Sequence, residues 1–200
     1  MKTTRLEAFS DGVLAIIITI MVLELHVPNG DNLAALAGQA TGLLTYLLSF
    51  VFVGIYWNNH HHMFQLVERV TGGILWANLA LLFALSLVPV STAWMDGTGF
   101  ARVPVVTYGA NLLLAAMCYS ILARVVVRSS GGRRLAEALG NDVKSWLSLT
   151  LYAVCIAVAF LAPVLGLAAF VVVAVIWLVP DRRVERLVSA EQGADTGNAA

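Results

Sequence analysis

The sequence predicts an all-α integral membrane protein with six transmembrane helices per subunit, and three observations carry that expectation. Of its 200 residues, 60% are hydrophobic and only 12% charged, and the mean hydropathy is +0.84; a soluble domain carries about 25% charged residues. Uncharged runs recur at close to the roughly 20 residues that a helix needs to cross the hydrocarbon core. The short alternating segments of an outer-membrane barrel are missing.

The six apolar stretches fall at about 6–26, 40–62, 72–94, 103–127, 145–162 and 164–180. The last two come from one uncharged run, Trp146 to Val179, which is too long for a single crossing; Pro163 and Gly166 supply the break for a tight hairpin. Residues 33–40 suit a short helix on the outer side before the second span. The polar segment Ser129 to Asn141, with Arg133 and Arg134, reads as a cytoplasmic connector, a brief interfacial helix being the alternative. Residues 1–182 thus form one transmembrane domain, and 183–200 a small, polar, partly disordered cytoplasmic tail. The remaining loops are too short for a soluble domain, and no internal repeat stands out.

Basic residues set the orientation. An even number of spans puts both termini on one side, and every Lys and Arg except Arg102 then falls on that side. Both termini are therefore expected in the cytoplasm, with the chain in the plasma (inner) membrane. The first span does not read as a cleaved signal, because Glu7 and Asp11 precede its apolar run and residues 26–32 separate it from Ala35-Leu36-Ala37. Cys118 and Cys155 lie within spans four and five and read as small buried hydrophobes rather than a disulfide. The net charge is +0 and no basic face is apparent, which argues against a nucleic-acid partner. There is no Gly-rich phosphate loop, HExxH or nucleophile elbow, so neither an enzyme nor a cofactor is expected.

What remains informative is polarity at membrane depth, which is expensive and marks a pathway or a buried network. Arg5, Glu7, Ser10 and Asp11 stand at the mouth of the first span. The second span ends in Trp57-Asn58-Asn59-His60-His61-His62. Adjacent helical positions are rotated by about 100°, so three consecutive histidines cannot face one ion, and hydrogen bonding is the better reading than a metal. Thr107-Tyr108-Gly109 echoes a carbonyl-lined selectivity loop but lacks its frame and lies within an ordinary span. Arg124 and Arg128 look like orientation signals, not a voltage sensor.

Helical phase sorts the first span. At about 100° per residue, Ile16, Thr19, Ile20 and Leu23 share an arc of about 100°, together with Arg5, Phe9 and Gly12. Such a stripe also suits packing on lipid or on other helices. Asp11 lies about 140° away from Ile16. If the stripe faces a pore, Asp11 points into the protein and needs a partner, which His60, His61, His62 or Arg5 could supply. Glu24, at the outer end, either concentrates cations or is a plain interfacial carboxylate.

Arg5-Leu6-Glu7-Ala8-Phe9-Ser10-Asp11-Gly12 resembles the RxxxFSDG signature that opens the first helix in the prokaryotic transmembrane protein 175 family, whose animal relative is a lysosomal and endosomal potassium channel. Trp57 to Phe64 and Asn78-Leu79 through Pro89 are similar to the same family, and the resemblance extends to about Pro180. It implies a homotetramer whose four first helices line a central pathway for potassium ions, without a carbonyl filter. Carried over, Ile16, Ile20 and Leu23 would form the hydrophobic constriction and Thr19 the selectivity layer. Arg5, Phe9, Ser10 and Asp11, with His60 or His61, would brace the helix. The rival expectations are a proton-coupled transporter or proton pathway using Asp11 and the span-two histidines, and a non-conducting structural membrane protein.

Overall fold

The computed structural model describes residues 3–65, 67, 69–129 and 143–178. Among these, the chain forms eight helices and no strand: α1 (Thr3–Leu23), α2 (Leu33–Ala37), α3 (Ala40–Gln65), α4 (Gly72–Ser86), α5 (Val88–Gly97), α6 (Arg102–Arg128), α7 (Val143–Leu161) and α8 (Pro163–Leu178). Helices fill all six apolar stretches. Thr3–Leu23, Ala40–Gln65, Gly72–Gly97 and Arg102–Arg128 are long and apolar enough to cross a membrane, whereas Trp146–Leu161 and Pro163–Leu178 are shorter apolar helices. Most of the 129–141 connector and the 183–200 tail lie outside the described residues.

Local chemistry explains the boundaries. α1 ends a few residues earlier than its apolar run, and Pro28 pushes the chain before it toward extended backbone. Asn32 caps α2 by accepting from Ala35 N–H at 2.9 Å, and Thr71 caps α4 by accepting from Ile74 N–H at 3.4 Å. Pro163 opens α8, where its missing N–H is not needed. One element differs from expectation. The stretch 72–94 is not a single helix but breaks at Leu87, with Pro89 in the first turn of α5, because proline cannot donate to the preceding turn.

α6 is the central pillar, packing on α4, α5, α7 and α8, while α1 packs on α3, α4 and α5. The buried side chains divide accordingly. One core joins α1, α3, α4 and α6 around Leu14, Ile17, Phe64, Ile74 and Leu81. The other joins α3, α5, α6, α7 and α8 around Phe52, Tyr108, Leu112 and Phe170. Gly166 permits the closest approach: a Cβ there would run into the Cβ and backbone of Ala159 on α7. Together α3, α4 and α5 form the wall against which α1 is set.

Candidate functional site

α1 presents two unlike flanks. Leu6, Ser10, Leu14, Ile17 and Met21 recur every three or four residues and are buried, the stripe expected of a helix face packed on a core. Around the cylinder, Ile16 is 59% exposed, Ile20 42% and Leu23 81%, and Thr19 is exposed beside them. Phe9 and Arg5 continue this stripe toward the N-terminus and are exposed too. All four residues expected to line a pathway therefore sit on a flank that a single chain leaves uncovered. The Thr19 hydroxyl donates to Ile16 O at 2.9 Å, so the lone pairs of its Oγ1 remain free to accept.

The rotation of α1 is fixed by a chain of hydrogen bonds at its N-terminal end. His60 Nε2–H donates to Asn78 Oδ1 at 2.8 Å, Asn78 Nδ2 donates to Ser10 Oγ at 3.0 Å, and Ser10 Oγ–H donates to Leu6 O at 2.9 Å. All three side chains are buried. Because Asn78 offers only its carbonyl oxygen to the ring, the proton must sit on His60 Nε2. His60 also packs on Phe64, with ring centroids 4.4 Å apart. The Thr3 hydroxyl adds a tie by donating to Val67 O at 3.1 Å.

Several expected partners are replaced. Asp11 is exposed rather than turned into the subunit, and its Oδ1 accepts from Trp57 Nε1–H at 3.0 Å; neither a histidine nor Arg5 supplies the contact. Phase gives the direction of a side chain but not which neighbour meets it, and an indole N–H satisfies a carboxylate oxygen without a charge. His61 stacks on Trp57 at 6.1 Å and bonds Gln65 at 2.9 Å. His62 Nδ1 is buried without a hydrogen-bond partner among the described residues. Among the described residues Arg5 forms no hydrogen bond or ion pair, and Phe9 lies outside the Ser10–Asn78–His60 group. Asn78 is the contributor that residue type does not single out; Trp57 belongs to the span-two cluster expected to hydrogen-bond, and its indole rather than a histidine meets Asp11. An amide in the middle of an uncharged helix was the available signal for Asn78.

At the C-terminal end of α1, Glu24 is exposed and lines a small cavity with Met21 and Leu25, opposite Gly42, Thr45, Thr92 and Asp96. Asp96 stands beside Gly42, where a Cβ would lie 3.1 Å from its Oδ2.

An apolar helical bundle of this kind, with buried polar ties and one uncovered flank on its first helix, is a multi-pass membrane protein. Comparison with known proteins narrows the class. The family model described as endosomal/lysosomal potassium channel TMEM175 matches residues 5–89. A potassium channel from Chryseobacterium sp. is 51% identical over 187 residues, covering 93% of this chain and 97% of that one. The human endosomal/lysosomal proton channel TMEM175 is 36% identical over 115 residues, covering 50% of this chain and 22% of the human protein. The crystal structure of a lysosomal potassium-selective channel TMEM175 homologue from Chamaesiphon minutus matches with a TM-score of 0.76 at 30% identity, over 88% of this chain and 95% of that one. The chain belongs to the TMEM175 family, a family of ion channels and not of enzymes.

Proposed function

We propose that this protein is a potassium-permeable channel in the plasma membrane, both termini cytoplasmic, in which four copies gather their α1 helices about a shared axis. Ile16, Ile20 and Leu23 then form stacked aliphatic rings. A narrow apolar ring closes by dewetting, since an ion cannot shed its water there without replacement ligands. Thr19, beside the rings, contributes oxygen. With its proton committed to Ile16 O, Oγ1 acts as an acceptor, which is what a partly dehydrated cation requires. The observation that carries this reading is the uncovered flank of α1: large aliphatic side chains lie exposed on the helix whose opposite face is buried.

Thr19→Val keeps the shape and removes the oxygen. It is expected to reduce potassium-over-sodium selectivity with assembly intact, read as a shifted reversal potential in mixed-ion bilayer recordings. An unchanged reversal potential would refute the threonine layer. Flux from potassium-loaded liposomes, with valinomycin as the positive control, tests conduction itself.

The name of the human relative, a proton channel, favours a second reading in which protons also cross. Among the described residues of one chain the polar side chains offer no continuous relay for them, because Asp11 is bonded to an indole that can only donate and His60 to an amide. Proton flux, if present, belongs in the same central pathway. A pH-sensitive dye inside the liposomes measures it.

A further inference from the structure

The third apolar stretch is interrupted at one bond. In an unbroken helix Val88 N–H would donate to Ala84 O. The amide of Asn111, on α6, stands between these two groups. In the orientation that satisfies both of its ends, it accepts from Val88 N–H at 3.1 Å and donates to Ala84 O at 3.0 Å. A side chain inserted into the i→i−4 ladder is one of the few causes of a sharp helix bend. Pro89, with no N–H, weakens the next rung as well. Asn111 is buried, and Ser91 Oγ lies 3.3 Å from the same amide while donating to Val88 O at 3.1 Å.

The break lies between the two places where this stretch holds α1. Before it, Asn78 of α4 grips Ser10. After it, Pro89, Thr92, Ala93 and Asp96 face Met21, Glu24 and Leu25 across the outer cavity, and Val88 shares a core with Met21. The direction of α5 therefore bears on the outer third of α1, which carries Thr19, Ile20 and Leu23, while the grip on Ser10 stays closed.

We propose that Asn111 is a wedge that sets the α4–α5 bend and, through it, the tilt of the outer part of α1; it is a positioning residue for the pathway. With the amide in the ladder the bent form is held. When the amide withdraws, Val88 N–H and Ala84 O pair with each other and the amide turns to Ser91 Oγ. Backbone bonds are exchanged rather than lost, which is the condition for an element with two discrete arrangements. The coupling to conduction rests on the reading of α1 as the pore lining.

The test uses the full chain with Cys118→Ser and Cys155→Ser, spin labels at Trp76→Cys and Trp94→Cys, and unlabelled chains as diluent. A continuous helix would separate positions 76 and 94 by about 27 Å. Asn111→Leu keeps the volume and removes the amide; it should move the label distance toward that value. It should also change potassium flux per channel roughly tenfold, with the potassium-over-sodium reversal potential unchanged. An unshifted distance overturns the wedge, and a shifted distance with unchanged flux overturns its positioning role. If the leucine variant does not fold, Asn111→Gln, which carries the amide on a longer stem, should still displace the distance, and a wild-type distribution there overturns the proposal. Absence of potassium flux in the wild type would sink the pore reading instead, leaving the distance to judge the wedge.

Discussion

Around α1, α3 and α4 the helices are fastened by directed hydrogen bonds, whereas α6, α7 and α8 are held to one another by close approach at small residues. On one side stand Ser10, Asn78 and His60, with Trp57 on Asp11. On the other, Gly166 meets Ala159, and Gly109 meets Phe170 and Ile156. The rings of Tyr108 and Phe170 close edge to face at 5.7 Å. Lipid removes the hydrophobic drive between helices, so packing and interhelical hydrogen bonds must do the joining. The two devices do different things. Close packing fixes how near two helices come but leaves rotation loosely specified, while a hydrogen bond fixes rotation. Ser10, Asn78 and His60 place such bonds where the angle of α1 decides which flank it shows.

The packed region is the less forgiving to a single added atom. Gly166→Ala pushes a methyl group at the Ala159 backbone, whose nitrogen would be 2.8 Å away, and backbone cannot rotate aside. A loss of about 3 kcal/mol is expected, read as a large drop in the detergent melting temperature. Melting like the wild type would erase the contrast between the regions.

Second in size is Asn78→Leu, which strips the bonded region of its central member. The His60 N–H and the Ser10 oxygen lose their partner in a dry site, at a cost of about 2 kcal/mol. Because the lost bonds define an angle, this variant should also alter thiol accessibility of Ile16→Cys on α1. Gly166→Ala should leave the accessibility of surviving channels unchanged. A reversed pattern would mean that packing, not hydrogen bonding, sets the rotation of α1.

The packed region was the more legible of the two from the chain alone. Hydropathy located the apolar runs because burial in lipid depends on composition, and Pro163 with Gly166 marked the hairpin because their backbone chemistry is local. That Ile16, Thr19, Ile20 and Leu23 share one flank followed from periodicity, but that the flank is uncovered did not, since the same stripe suits packing on other helices. What escaped depends on pairs far apart in sequence. Asp11 was matched to titratable residues on the ground that charge seeks charge, and it meets Trp57 instead. The break at Leu87 was not expected although Pro89 was in view, because its other cause, Asn111, lies on a different helix. Spacing within one segment carries no information about such a contact.

The smallest effect inside one chain, and the sharpest test of what hydrogen bonds do here, is Asp11→Asn. Asparagine retains the oxygen that accepts from Trp57 Nε1–H, so the subunit should lose no more than about 0.5 kcal/mol, as at an ordinary surface position. Yet Asp11 is exposed on the isolated chain near the mouth of an apolar helix, a setting in which an ionised carboxylate is costly unless paired or wetted. If the charge is met by a neighbouring copy, the variant should lower the detergent concentration at which the proposed tetramer dissociates while leaving the melting of the dissociated subunit unchanged. Equal tetramer resistance in wild type and variant would confine Asp11 to its indole contact within the subunit.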